Sequence, residues 1–163
     1  SASPNHQTRR VIPLKFRFDV AMTGRLGMEM KPSDLTEKEL AYAKNAVATY
    51  KEIRPIIQQG NQYRIISPYE KTGYASELYI TDDKSEAIIF ASQFEHYVNQ
   101  FRPRFHFAGL DPAATYKLTE ICRDGKADHW EGRTFTGKFL MQQGVEIALN
   151  GLFSSKVIRV VKQ

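Results

Sequence analysis

The hydrophobic positions of this chain change their spacing near residue 60. Ahead of that point, apolar residues recur at Leu40, Ala43, Val47, Tyr50, Ile53 and Ile57. Steps of three and four residues put them on one face of a helix. Lys38, Lys44, Lys51 and Glu52 fall mostly off that stripe. Thr36 and Glu39 have the spacing of a capping box, and Gly60 stands where a helix would be capped at its C-terminus. The pattern predicts a long helix over residues 36–59. Pro55 lies inside it and is expected to kink or weaken the last turn, because its ring carries no N–H to donate.

Beyond Gly60 the period becomes two. Short alternating runs at 63–66, 77–80, 87–91, 104–107, 115–122, 135–141 and 156–161 read as strands. Turn chemistry separates them at Asp82-Asp83-Lys84-Ser85, Gly109-Leu110-Asp111-Pro112 and Asp124-Gly125-Lys126. About seven short strands with no helical run between them predict a mainly β fold, an antiparallel β-sandwich preceded by a long α-helix. Of the 19 aromatic residues, 15 lie in residues 61–163, which suits a packed sandwich core. The chain therefore divides into residues 1–60 and a sandwich over residues 61–163.

The first thirty residues do not close on themselves. Residues 9–20 read as a short helix and residues 23–30 as a glycine-punctuated strand. A lone strand must pair with something, so this stretch reads as part of a unit whose neighbours lie elsewhere.

Composition narrows the function. The hydrophobic fraction of 42% supports a packed core, and no apolar run approaches the roughly 20 residues that span a bilayer. The start, Ser1-Ala2-Ser3-Pro4-Asn5-His6, lacks the pattern of a signal peptide. The net charge of +5 is diffuse: residues 1–60 hold 10 Lys/Arg against 6 Asp/Glu, and residues 61–163 hold 13 against 12. A nucleic-acid footprint needs a dense basic stripe, so neither nucleic acid nor a membrane is expected as a partner. The single cysteine, Cys122, excludes an internal disulfide framework and reads as a plain strand residue.

The chain contains no self-contained catalytic set. It lacks a nucleophile elbow, a phosphate-cradling glycine loop and a zinc-binding His pair. His6, His96, His106 and His129 are scattered, so no metal or cofactor is expected. His106 alternates with Phe105 and Phe107 and should face solvent. Asp82 and Asp83 are adjacent, but a retaining glycosidase needs carboxyls about 5–5.5 Å apart across a sugar, so they read as turn residues. Trp130, the only tryptophan, is a candidate sugar-stacking residue with packing as the alternative. A carbohydrate-binding β-sandwich is the second functional reading.

Several stretches carry a family resemblance. Pro4-Asn5-His6-Gln7, the run from Arg17-Phe18-Asp19 to Gly27-Met28-Glu29, and Tyr50-Lys51-Glu52-Ile53-Arg54-Pro55 resemble the late part of an α-galactosidase of glycoside hydrolase family 36. Tyr63-Arg64-Ile65-Ile66-Ser67-Pro68, Gly109-Leu110-Asp111-Pro112 and Gly137-Lys138-Phe139-Leu140-Met141 are similar to that family's C-terminal β-sandwich. The resemblance covers nearly the whole chain in order. It implies a TIM barrel, with residues 9–21 as its seventh helix, 23–30 as its eighth strand and 36–59 as its eighth helix. The helix stripe would then cover barrel strands.

The resemblance also implies retaining hydrolysis of terminal α-galactosyl groups by an Asp nucleophile and an Asp acid/base. Their motifs do not occur in this chain, so no catalytic residue is carried over. Asn5 and His6 would lie in the loop after the seventh strand, at the barrel's active-site end and near substrate. The implied partners are an α-galactoside held by the barrel, the rest of the parent chain and a second copy of the protein in a homo-oligomer.

Overall fold

The computed structural model describes residues 3–97 and 101–163. Two helices come first, α1 (Leu14–Met22) and α2 (Glu37–Gln59). Then follow β1 (Asn61–Ile66), β2 (Tyr74–Ile80), β3 (Glu86–Gln93), β4 (Arg104–Phe105), β5 (Thr115–Ile121), β6 (Thr134–Thr136), α3 (Gly137–Gln142), β7 (Val145–Glu146) and β8 (Ser154–Lys162). Six strands form one antiparallel sheet in the order β1-β2-β3-β8-β5-β6, and β4 pairs with β7 in a small second sheet. The fold is mainly β, an antiparallel sandwich with a short second layer.

Strand alternation divides the large sheet into two apolar faces. Leu78, Ile89, Tyr116, Leu118, Ile158 and Val160 join Phe105, Trp130, Leu140 and Val145 in a core under the small sheet and α3. Tyr79, Ile88, Phe90 and Val157 point the other way and meet α1 and α2. Residues Ala87 to Ala91 of β3 are all buried, as a strand covered on both sides must be.

The long helix begins as its capping box requires. Thr36 Oγ1 accepts from the Glu39 N–H at 3.3 Å, and Glu39 Oε2 accepts from the Thr36 N–H at 2.9 Å. The helix continues past Pro55 to Gln59. Gly60 has φ −76°, so its glycine is not needed for a left-handed turn. It is needed for space: a Cβ there would sit 2.6 Å from the Ile56 carbonyl oxygen and 2.7 Å from that of Ile80.

Five sequence expectations are corrected. The stripe of α2 does not wait for barrel strands: Ala43, Ala46, Tyr50, Ile53, Ile56 and Ile57 are buried against α1 and the sheet, while Leu40 and Val47 are half-buried. The first helix starts at Leu14 rather than residue 9, because Pro13 opens it and Arg9 has φ +57°. Residues 23–30 form no strand, having no strand beside them among the described residues. The run at 135–141 breaks into β6 and α3, where Thr136 Oγ1 accepts from the Phe139 N–H at 3.1 Å and caps the helix. Cys122 lies just past β5 with φ +54°.

Candidate functional site

The loop at Asn5 is built by its own side chain. Asn5 Oδ1 accepts from the backbone N–H groups of Gln7 at 3.0 Å and Thr8 at 2.9 Å, which closes a tight polar turn. The Ser3 hydroxyl oxygen accepts from the Ile12 N–H at 3.1 Å and ties the loop to the chain entering α1. Asn5 Oδ1 is thus engaged within its own loop, and His6 is exposed on the turn. The two lie far from Trp130 in sequence, and no described contact joins them to it.

Trp130 does not offer a stacking surface. Its ring is fully buried in the sandwich core, and Nε1 has no hydrogen-bond partner among the described residues. A ring with no exposed face cannot receive a sugar, so Trp130 is a packing residue. The Lys156 ammonium lies 5.7 Å from its ring centre, a cation–π contact away from bulk water. Asp82 and Asp83 are turn residues: Asp83 Oδ1 accepts from the Thr81 and Ser85 hydroxyls at 2.6 and 2.7 Å, which with the Ser85 N–H lowers its pKa to about 2. His106 is exposed between buried Phe105 and Phe107.

Two buried charge clusters hold the layers together. In the first, Asp19 Oδ2 accepts from Lys15 Nζ at 2.8 Å and from the Ser155 hydroxyl at 2.8 Å, and Lys15 Nζ also donates to the Cys122 carbonyl at 3.1 Å. This joins α1 to β8 and to the end of β5. Burial raises the Asp19 pKa, opposed by the Lys15 charge and hydrogen bond. In the second, Lys156 Nζ reaches Glu120 at 3.2 Å and Asp128 at 3.1 Å. Burial likewise raises the Glu120 pKa against the pull of Lys156. Neither cluster stands out in the sequence, although Lys15 and Asp19 are four apart in a helical stretch. Glu120 continues the inward series Tyr116, Leu118, a second signal.

The region after α1 is tied by hydrogen bonds at its start, and its Leu26 and Met30 side chains pack against the helix–sheet core. The Tyr79 hydroxyl donates to the Thr23 carbonyl at 2.7 Å and the Tyr50 hydroxyl to the Gly24 carbonyl at 2.7 Å. Residues 25–30 then run with no backbone hydrogen bond in the described chain. Beside them lies a cleft of about 280 Å³ lined by Ile12, Phe16, Phe18, Val20, Leu26 and Met28, among others. Among the described residues, no group of three side chains is placed to hold a metal ion, and no helix is long and apolar enough to cross a membrane.

A two-sided sheet with a short second layer, packed against two preceding helices, defines a β-sandwich joined to a helical unit. The profile of the glycosyl hydrolase family 36 C-terminal domain matches residues 74–160, and that of melibiase matches residues 1–60. The chain belongs to glycoside hydrolase family 36 and corresponds to the C-terminal portion of its α-galactosidases. It is 35% identical over its whole length to a probable α-galactosidase C of Aspergillus flavus, covering 20% of that protein. It is 37% identical over 118 residues, 72% of the chain, to α-galactosidase AgaA of Geobacillus stearothermophilus, covering 16% of that protein. The crystal structure of α-galactosidase AgaB from the same organism superposes with a TM-score of 0.86 at 33% identity, over 99% of this chain and 21% of that one. The chain therefore spans about a fifth of the length of these relatives.

Proposed function

We propose that this chain is the non-catalytic C-terminal portion of a retaining α-galactosidase, and that it covers and supports the barrel that binds and cleaves the α-galactoside. The observation that carries the reading is the unpaired run of residues 25–30 beside the apolar cleft of α1. Backbone N–H and C=O groups left without a partner in the described chain are open to pairing with a neighbouring segment. Exposed Val20 and Met28 both line that cleft, and contiguous apolar surface marks a contact face. The partner fitted to that face is the preceding part of the same polypeptide, with Asn5 and His6 carried toward the substrate end of the barrel. A homo-oligomer would use surfaces of the assembled protein rather than this face.

The test joins activity to exchange. The chain alone should not hydrolyse an aryl α-galactoside, and amides 25–30 should exchange fast. Fusion to the preceding portion of the Geobacillus relative AgaA should restore turnover and slow exchange at those amides. Turnover by the 163-residue chain alone, free of contaminating enzyme, would overturn the proposal.

A further inference from the structure

The connection from β7 to β8 carries a reactive pair. Of the chain's five asparagines, Asn150 alone precedes a glycine. Asn99 lies outside the described residues. The other three are held in place. Asn5 Oδ1 accepts from the Gln7 and Thr8 N–H groups, Asn45 lies within the hydrogen-bonded turns of α2, and the Asn61 amide donates to Asp82 Oδ1 at 2.8 Å. Asn150 and Gly151 are both exposed. The Gly151 N–H has no hydrogen-bond acceptor among the described residues. Space is open around this glycine: it has φ +104°, and an added Cβ would meet nothing within 4 Å.

Asparagine amides are among the heat-labile groups of proteins, and here both the nucleophile and its target are unrestrained. Once its proton passes to hydroxide, the Gly151 nitrogen can attack Asn150 Cγ and close a five-membered ring. Glycine suits this step because it carries no side chain to crowd the ring and its backbone turns freely. Arg102 supplies a second, independent element. Its guanidinium donates to Asn150 Oδ1 at 3.5 Å and is paired with Glu146 at 3.7 Å. The contact is long at rest, but it draws electron density from Cγ and strengthens as Oδ1 takes up negative charge in the tetrahedral adduct.

We propose that Asn150-Gly151 is a site of spontaneous deamidation, promoted by Arg102. The bond from the Gly151 nitrogen to Asn150 Cγ forms and the Cγ–Nδ2 bond breaks, so that the amide leaves as ammonia with a proton taken from water. Water then opens the resulting succinimide at either carbonyl, giving aspartate or isoaspartate at position 150. The sequence consumes only water. Either product places a carboxylate beside Arg102. Isoaspartate also lengthens the backbone by a methylene just ahead of Gly151, whose carbonyl accepts from the Ser154 hydroxyl at 2.7 Å where β8 begins. The site does not depend on the parentage proposed above, because its readout is a change of covalent structure and not hydrolysis of a substrate.

The experiment is incubation of the full chain at mildly alkaline pH, followed by peptide mapping with mass spectrometry, beside a synthetic peptide of residues 147–153 as the unfolded reference. Conversion at Asn150 should outpace that at Asn5, Asn45 and Asn61 by about tenfold or more, rise with pH and give both products. It should be faster than in the free peptide, and Arg102→Gln should bring it down to the peptide's rate. Asn150→Gln would need a six-membered ring, so position 150 should then stay unmodified with an unchanged circular dichroism spectrum. A folded chain slower than the peptide, aspartate formed without isoaspartate, or an unaltered rate in Arg102→Gln would each overturn the proposal.

Discussion

The two faces of the six-stranded sheet are covered in different ways. One is closed by the chain's own later elements, with Trp130, Phe105 and Leu140 packed on Leu118 and Ile158. The other is closed by α1 and α2, which come before the sheet in sequence yet share a core with Tyr79, Ile88 and Phe90. Each covering combines apolar volume with a buried polar joint: Lys156 with Glu120 and Asp128 beside Trp130 in the first, and Asp19 with Lys15 and Ser155, between a helix and a strand, in the second. The residue-60 boundary that periodicity suggests therefore crosses a packed interface. What separates the helices from the sandwich is their pattern along the chain, while their burial joins them.

The contrast is open to direct attack. The largest loss should come from Trp130→Ala, which empties a fully buried site in the first covering; about 3–5 kcal/mol is expected in chemical denaturation. A change below about 1 kcal/mol would show that the ring is not part of the core. Lys15→Met should cost somewhat less, on the order of 3 kcal/mol, by leaving the Asp19 carboxylate buried without its cation. It should also raise the Asp19 pKa further, since the Lys15 charge and hydrogen bond now oppose burial. A carboxyl whose folded pKa lies above its unfolded value binds protons more tightly when folded. The damage should therefore grow as pH rises from the unfolded carboxylate range through the folded value, and shrink in acid.

The smallest effect should come from Asp83→Asn, outside both coverings in the β2–β3 turn. Its folded pKa, lowered to about 2, means that its stabilisation is present above the unfolded value and lost as pH falls toward 2. The variant should flatten the acid side of the stability profile and leave the neutral side nearly parallel to the parent. An unchanged acid limb in thermal melts would remove Asp83 as a source of acid sensitivity.

Much of this organisation is legible in the spacing of residues along the chain. Thr36 and Glu39 mark the start of α2, alternation locates β1, β2, β3, β5 and β8 to within a few residues, and His106 faces solvent as its neighbours imply. The misses have physical causes. Gly137-Lys138-Phe139-Leu140-Met141 is apolar enough for a strand, but the Thr136 hydroxyl capping Phe139 turns it into a helix. Trp130 reads as a loop aromatic, because its polar neighbours Asp128 and Glu131 give no hint that the ring turns inward. For the candidate sites, Asn5 and His6 are visible only through resemblance, and the pairing of Asp19 with Ser155 is not visible at all.

The sequence alone located α2, the strands β1, β2, β3, β5 and β8 and the family the chain resembles, because caps, periodicity and contiguous motifs are local properties written residue by residue. Tertiary structure decided what each apolar face touches. It turned the stripe of α2 onto the sheet rather than leaving it bare, and it brought Asp19 to Ser155 across 136 positions of chain. It also set Ala75, Ser92 and Ser155 side by side. Those pairings depend on strand register and helix docking, in which distant residues compete for the same surface, and no local pattern encodes the winner.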